Sequence, residues 1–248
     1  MALEQFFEEN TRVAIAFSGG VDSAYLLYAA MQSGTDVKAY FVKSAFQPQF
    51  ELEDAQKLSS QLGANMEVLE VDVLCKKQIT ANPVDRCYHC KKVIFETIVE
   101  AATKDGYALL IDGTNASDDA ADRPGMKALA ELAVRSPLRE CGLTKDEIRG
   151  LSKEAGLFTW DKPAYACLAT RIPTSEAITL EKLRRTETAE NFLTSLGFVD
   201  FRIRSKDNAA KIQVTARDLP KIIENREAVF EDLKRYYKEV TLDLEVRK

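Results

Sequence analysis

Three short stretches hold the residues whose types and spacing suit chemistry. The first is SGGVDS at positions 18–23, with the apolar run VAIAF before it and Ala24, Leu27, Tyr28 and Met31 at helical spacing after it. Two glycines let a backbone pass close to a ligand. A strand that feeds directly into a helix also leaves the first helical N–H groups unpaired and pointing outward. Such a junction holds phosphate. The second stretch is NPVDRCYHCKK, where Cys87 and Cys90 have a spacing open to zinc, an iron–sulfur cluster or dithiol exchange. No second pair lies nearby to complete a zinc knuckle. The third is WDKPAYACLATRIP, which sets Cys167 on a proline-bounded loop with Lys162 and Arg171 near enough in sequence to lower its pKa. Each stretch also has a plainer reading: a junction capped by Asp22, a chance pair of thiols, a small buried hydrophobe. Cys75 and Cys141 lack comparable surroundings and read as structural. The single histidine, His89, excludes chemistry that needs a histidine pair within one chain.

The elements that must position these residues follow from hydrophobic periodicity. Strands are predicted at 13–17, 37–42, 66–71 and 108–112, with helices at 22–33, 50–62 and 91–105 between them. Gly34 and Gly63 fall where helix C-caps are expected. This βαβα order predicts an α/β fold, a doubly wound parallel sheet. Past residue 178 the pattern changes to a helix at 180–196, two strand-like runs (FVDFRIR and AAKIQV), a helix at 219–237 and a last strand-like run, EVTLDLEV. That is a small α+β domain. The division expected is 1–160, a cysteine-bearing linker at 161–178, and 179–248.

SGGVDS is neither of the two commoner nucleotide loops. No Gly-Lys pair occurs in the chain, which excludes a Walker A loop, and the Gly-x-Gly-x-x-Gly spacing is absent. The hexapeptide resembles the phosphate loop of the N-type ATP pyrophosphatases, or PP-loop proteins, of the adenine nucleotide alpha hydrolase-like fold. The resemblance implies cleavage of ATP to AMP and pyrophosphate. Backbone N–H groups of Gly19, Gly20 and Val21 would then face phosphate, hydroxyls of Ser18 and Ser23 would add donors, and Asp22 would serve Mg²⁺.

Taken in order, SGGVDS, NPVDRCYHCKK, DGTNASDDAADRPG, RSPL and WDKPAYACLATRIP resemble the LarE family of ATP-dependent sulfur transferases, over residues 12–214. The resemblance implies adenylation of a carboxylate of pyridinium-3,5-biscarboxylate mononucleotide and replacement of AMP by sulfur, on the way to the nickel-pincer nucleotide of lactate racemase. Two sulfur sources exist in the family. In one, the cysteine matching Cys167 gives up its own sulfur. In the other, Cys87, Cys90 and Cys167 would hold a [4Fe-4S] cluster whose open iron carries sulfide; the cluster is the version favoured here.

The resemblance further implies that Arg202 and Arg204, alternating to one face of a strand, grip the substrate phosphate. Their plainer reading is a solvated face, and SKDNAAKIQV departs from the family after that strand. Gly113, Thr114 and Asn115 should line the nucleotide site, whereas Asp118, Asp119 and Asp122 read equally as a solvated loop. Arg123 and Arg171 are further substrate contacts, and Glu190 is a candidate metal ligand or a plain surface acid. A symmetric homo-oligomer is expected from the family.

Composition narrows the alternatives. Net charge is −5, with 46% hydrophobic and 29% charged residues, so there is no general electrostatic footprint for nucleic acid. That weighs against a PP-loop tRNA thiolase, the nearest rival; a non-catalytic nucleotide-binding or redox protein is the other. No apolar run reaches membrane-spanning length. The acidic start MALEQFFEEN is unlike a secretory signal, and the cysteine usage suits the reducing cytoplasm.

Overall fold

The apolar runs of the first half become four parallel strands: β1 (Arg12–Ala16), β2 (Asp36–Lys43), β3 (Met66–Glu70) and β4 (Leu110–Asp112), in the order β3-β2-β1-β4. The helices, in chain order, are α1 (Leu3–Glu9), α2 (Val21–Gln32), α3 (Gln49–Leu62), α4 (Lys77–Thr80), α5 (Arg86–Lys104), α6 (Pro124–Glu131), α7 (Pro137–Glu140), α8 (Lys145–Glu154), α9 (Leu180–Ser195), α10 (Leu219–Glu224) and α11 (Arg226–Leu233). The computed structural model describes residues 2–118 and 124–247. The chain divides into two units, Met1–Val73 with Asp85–Ala164, and Leu74–Val84 with Tyr165–Lys248.

In the first unit the period of two along each strand sorts side chains to two faces. Val13, Ile15, Ala39, Phe41 and Ile111 join Leu26 and Leu27 of α2, Leu58 of α3 and Ile148 of α8 in one apolar cluster. Ala14, Tyr40, Val42 and Leu110 join Phe95 and Ile98 of α5 and Leu129 of α6 in another. Register enforces the sorting, because Ile15 stands beside Ala39 on one side and Ile111 on the other. Leu26 and Leu27 are fully buried, each contributing about 1.5–3 kcal/mol of transfer free energy. The sheet is thus covered on both faces, as parallel sheets require. The predicted α/β, doubly wound class is the fold observed.

The chain leaves β1 toward β2, and β4 comes back on β1's other side. The carboxyl ends of β1 and β4 therefore flank the point where the strand order reverses, which is where open α/β sheets bind ligands. This places residues 18–23 and 113–115 together.

In the second unit, β5 (Phe201–Lys206) and β6 (Ala209–Val214) form an antiparallel hairpin, and β7 (Glu239–Leu242) runs parallel to β6. The hairpin turn is Asp207-Asn208, both at positive φ (46° and 65°), the geometry of a type I′ turn. Phe201, Ile203, Ile212 and Val214 pack with Leu193 of α9, Ile222 of α10 and Leu233 of α11. The segment 74–84 belongs here because Asn82 ties it down. Its side chain donates to the carbonyls of Ile172 and Pro173, and its own carbonyl accepts from Ser175 N–H.

Among the element boundaries that depart from the sequence reading, three have a local cause. The helix expected from residue 91 begins at Arg86, with Tyr88 and His89 N–H both donating to Asp85 O, so Cys87 and Cys90 lie on α5 and not before it. The helix expected over 219–237 is broken at Asn225, whose side chain donates to Lys221 O and so competes with the helical ladder. The last strand stops at Leu242.

Candidate functional site

Gly19 lies at φ 71°, and a Cβ there would meet Ala55 of α3 at 3.2 Å. Backbone geometry and space both demand glycine. Gly20 then caps α2 in extended conformation, with no side-chain cap bond. Asp22 is accordingly not the cap; it is the second helical residue. The N–H groups of Val21, Asp22 and Ser23 have no intrahelical acceptors, and the helix dipole favours an anion beside them. Ser23 is buried. Its hydroxyl donates to Gly20 O at 3.2 Å, accepts from Ser18 N–H at 3.3 Å and lies 3.1 Å from Ser18 Oγ. Ser23 thus braces the loop, while Ser18 stands exposed on it.

The end of β4 fits against this turn with no room to spare. A Cβ on Gly113 would come 2.8 Å from Ser23 N and 3.2 Å from Asp22 C. Thr114 is buried and its hydroxyl donates to Asp112 at 2.6 Å, so its side chain supports the strand end. Asn115 reaches the loop directly, Nδ2 donating to Asp22 Oδ1 at 3.2 Å. Asp118 accepts from Asn115 N–H, which shapes the loop. Asp119, Asp122 and Arg123 lie outside the described residues.

The other oxygen of Asp22 is taken by a residue the sequence reading missed. Lys145 Nζ lies 2.5 Å from Asp22 Oδ2. Lys145 opens α8, and its position is set by a capping box in which Thr144 and Glu147 satisfy each other's exposed groups. Those bonds hold the Glu147 carboxyl below its usual range. The Thr-x-x-Glu spacing of LTKDE was the signal available. Lys162, expected to act on Cys167, instead donates to Asp54 at 2.6 Å, so its charge is already engaged within the first unit.

In the second unit Cys167 is half-buried and caps the 3₁₀ turn Leu168–Arg171. Its carbonyl accepts from Thr170 N–H and Oγ1. Arg171, 1% exposed, ties the same loop by donating to Ala166 O at 2.9 Å and to Thr170 Oγ1. Its counterion is Glu190, which is neither a surface acid nor open to a metal. Glu190 Oε1 accepts from Arg171 Nε at 2.7 Å and Ile203 N–H at 2.9 Å, and Oε2 from Tyr165 OH and Arg171 Nη2. Burial works against the Arg171 charge, but these bonds hold its pKa above an ordinary arginine's.

Arg202 and Arg204 share one face of β5, as expected. Arg202 is buried, not solvated. It stacks over the Tyr165 ring, which Arg171 also approaches. Burial, then the nearby Arg171 and Arg247, push its pKa down to about 10, and the same causes lower that of Arg204. Arg204 donates to Thr170 O at 2.7 Å. A cavity of about 630 Å³ is lined by four cations, Arg171, Arg204, Lys206 and Lys211, and two carboxylates, Asp207 and Glu239. Of its two arginines only Arg204 has a lowered pKa, and a guanidinium so placed gains from an incoming anion.

Comparison with known proteins locates this architecture. Residues 12–97 match the model of the queuosine biosynthesis protein QueC. An uncharacterized protein of Synechocystis sp. is 38% identical over 98% of this chain and 92% of its own. The pyridinium-3,5-bisthiocarboxylic acid mononucleotide synthase of Lactiplantibacillus plantarum is 33% identical over 94% of this chain and 86% of its own. The chain belongs to the LarE family. It is an ATP-dependent, sulfur-transferring enzyme of the PP-loop class. The tRNA-specific 2-thiouridylase of Thermotoga petrophila is more distant, 25% identical over 59% of this chain and 52% of its own.

For a LarE protein the cysteines matter most. Cys87 and Cys90 stand one turn apart on α5, the first exposed and the second half-buried. Cys167 belongs to the other unit. Among the described residues no three His, Cys, Asp or Glu side chains form a metal-binding group. Cys75, expected to be structural, is exposed. Cys141 is half-buried, and burial pushes its thiol pKa up. Among the described residues no helix is long and apolar enough to cross a membrane.

Proposed function

We propose that this enzyme adenylates a carboxylate of pyridinium-3,5-biscarboxylate mononucleotide and converts it to a thiocarboxylate, with Cys167 as the sulfur donor. The carboxylate oxygen attacks the α-phosphate of ATP, forming the acyl-adenylate and releasing pyrophosphate. The loop 18–23 and the start of α2 bind the phosphates. Asp22 is the carboxylate suited to Mg²⁺, which takes one or two protein carboxylates beside phosphate and water and which supplies charge neutralisation when bound.

The Cys167 thiolate then attacks the acyl carbon and AMP leaves. A base removes the Cα proton of the resulting thioester-linked residue, and the Cβ–S bond breaks. The products are the thiocarboxylate and a dehydroalanine at position 167. No oxidant or reductant is required. The cationic cavity lined by Arg204, Lys206 and Lys211 suits the substrate's phosphate.

The observation that carries this reading is the state of Cys167. It is a half-buried thiol on a loop tied down by the buried Arg171–Glu190 pair, and Thr170 and Arg171 of the same loop line the cavity. The name of the Lactiplantibacillus relative supports the pyridinium substrate. The cysteine usage supports a reducing cytoplasm as the setting. The test is pyrophosphate release from ATP and Mg²⁺ with the pyridinium mononucleotide, against a parallel reaction with unmodified tRNA. Release that follows the pyridinium compound supports the reading. Release that follows tRNA replaces it with the thiolase.

A further inference from the structure

A site that only had to hold phosphate would be lined by cations alone, yet the cavity beside Thr170 and Arg171 also carries the carboxylates of Asp207 and Glu239. An acid there repels the group that the arginines and lysines attract. We propose that Glu239 is the specificity residue of this cavity, its carboxylate facing the positively charged pyridinium ring of the substrate while Arg204 and Lys206 take the phosphate. This rests on the reading of the cavity as the substrate site and adds to it a residue that reads the ring.

Three observations carry the proposal. First, the strand register lays the charges out in order. Lys206 of β5 stands opposite Ala209 of β6, which in turn stands beside Glu239 of β7. Residues so aligned share one face of a sheet, and all three line the cavity. The small side chain of Ala209 leaves a floor between an ammonium and a carboxylate two strand spacings apart, roughly 10 Å. A mononucleotide carries its phosphate and its ring at opposite ends of a ribose and suits such a span. Second, these two charges are unpaired. Arg171 is engaged by Glu190 and Lys211 by Asp243 at 2.7 Å. Neither Lys206 nor Glu239 makes a side-chain ion pair or hydrogen bond among the described residues. Third, the next row along the same face holds Arg204, Lys211 and Thr241. Positive charge thus gathers on β5 and β6, while β7 presents a carboxylate; Asp207 lies beyond these rows, in the hairpin turn. A carboxylate at that edge penalises a ligand with an anion there and favours one with a cation, which is how charge builds selectivity.

Glu239 also stands on an edge strand, where a charge can serve only to keep other chains away. The two roles differ in one ratio. Nicotinic acid mononucleotide and its 1,4-dihydro form share phosphate, ribose and carboxylate, but only the first has a charged ring. Binding of each to the full chain is measured by calorimetry for wild type, E239Q and D207N, with ribose 5-phosphate as a ligand that lacks the ring. Circular dichroism and melting temperature report folding. Wild type is expected to bind the oxidised compound about tenfold or more tighter than the reduced one. E239Q should bring the two within about twofold by weakening the oxidised compound, and should bind ribose 5-phosphate no more weakly than wild type. D207N should keep the wild-type ratio. The proposal is overturned if wild type holds both forms within about twofold, if E239Q keeps the wild-type ratio, or if D207N removes it instead. A wild-type protein that binds neither mononucleotide nor ribose 5-phosphate overturns the assignment of the cavity as substrate site, an outcome distinct from those three.

Discussion

Glu190 grips Arg171 with both carboxylate oxygens, through Nε at 2.7 Å and Nη2 at 3.2 Å, where both side chains are almost wholly buried. Removing one partner of such a pair strands the other charge in a low-dielectric site, which costs about 3–5 kcal/mol. Glu190→Ala is expected to lower the urea midpoint of the second unit by a corresponding amount. Because Arg171 also anchors Ala166 O, the Cys167 loop should loosen, and iodoacetamide should alkylate Cys167 faster than in wild type. An unchanged alkylation rate in a folded Glu190→Ala protein would show that the pair does not position the thiol.

Gly113 meets the phosphate loop backbone to backbone, so no flexible side chain can yield to an added methyl. With a Cβ 2.8 Å from Ser23 N, Gly113→Ala must push β4 and α2 apart. Overpacking of this kind costs about 1–3 kcal/mol. Nucleotide binding should fall far more than thermal stability, since the shift acts on the N–H groups that bind phosphate. Calorimetry beside a melting curve separates the two effects. A variant that binds ATP normally would mean the close approach of Gly113 has no bearing on the loop.

Much of this fold is legible in the amino-acid sequence, and the division between legible and illegible is physical. The parallel sheet can be read because alternation along 13–17 and 37–42 is a local pattern that burial on both faces enforces. Gly19 can be read because a strand that runs through Gly-Gly into a helix must turn sharply, and a positive φ makes that turn. Lys145 cannot be read, because its partner Asp22 is 123 residues earlier and a surface-type lysine carries no local mark of its pairing. Asn82 escapes for the same reason: its role depends on carbonyls at 172 and 173. Glu190 is mistaken for a surface acid or metal ligand because a long polar helix gives no hint which acid turns inward. Cys87 falls ahead of the expected helix because the stretch before residue 91 lacks apolar periodicity, although Asp85 starts the helix there.

Asp243 reports on the cationic cavity through Lys211. Hydrogen bonds from Lys211 and then Gln213 pull its carboxyl pKa down to about 2. A folded-state pKa below the unfolded value means the pairing stabilises the fold above roughly pH 4. That contribution disappears as pH falls through about 2. In Lys211→Met the Asp243 carboxyl should titrate closer to the ordinary carboxylate range, which NMR of the carboxyl carbon measures directly. A carboxyl that still titrates near the wild-type value would leave Gln213 as the controlling partner.

Cys167 is where adenylation and sulfur transfer should come apart. Serine at this position keeps the size and the loop bonds, which run through the backbone carbonyl, but removes the sulfur. Cys167→Ser is therefore expected to release pyrophosphate with the pyridinium substrate and to form no thiocarboxylate. Cys87→Ala and Cys90→Ala should each still yield about one thiocarboxylate per chain, because a donor that sacrifices its own sulfur turns over once. Intact-mass analysis of wild type after reaction should show loss of one H₂S, mapped to residue 167. Repeated turnover by wild type with added sulfide, abolished in Cys87→Ala and accompanied by bound iron, would overturn the sacrificial route and require the two α5 thiols to work with Cys167 after all.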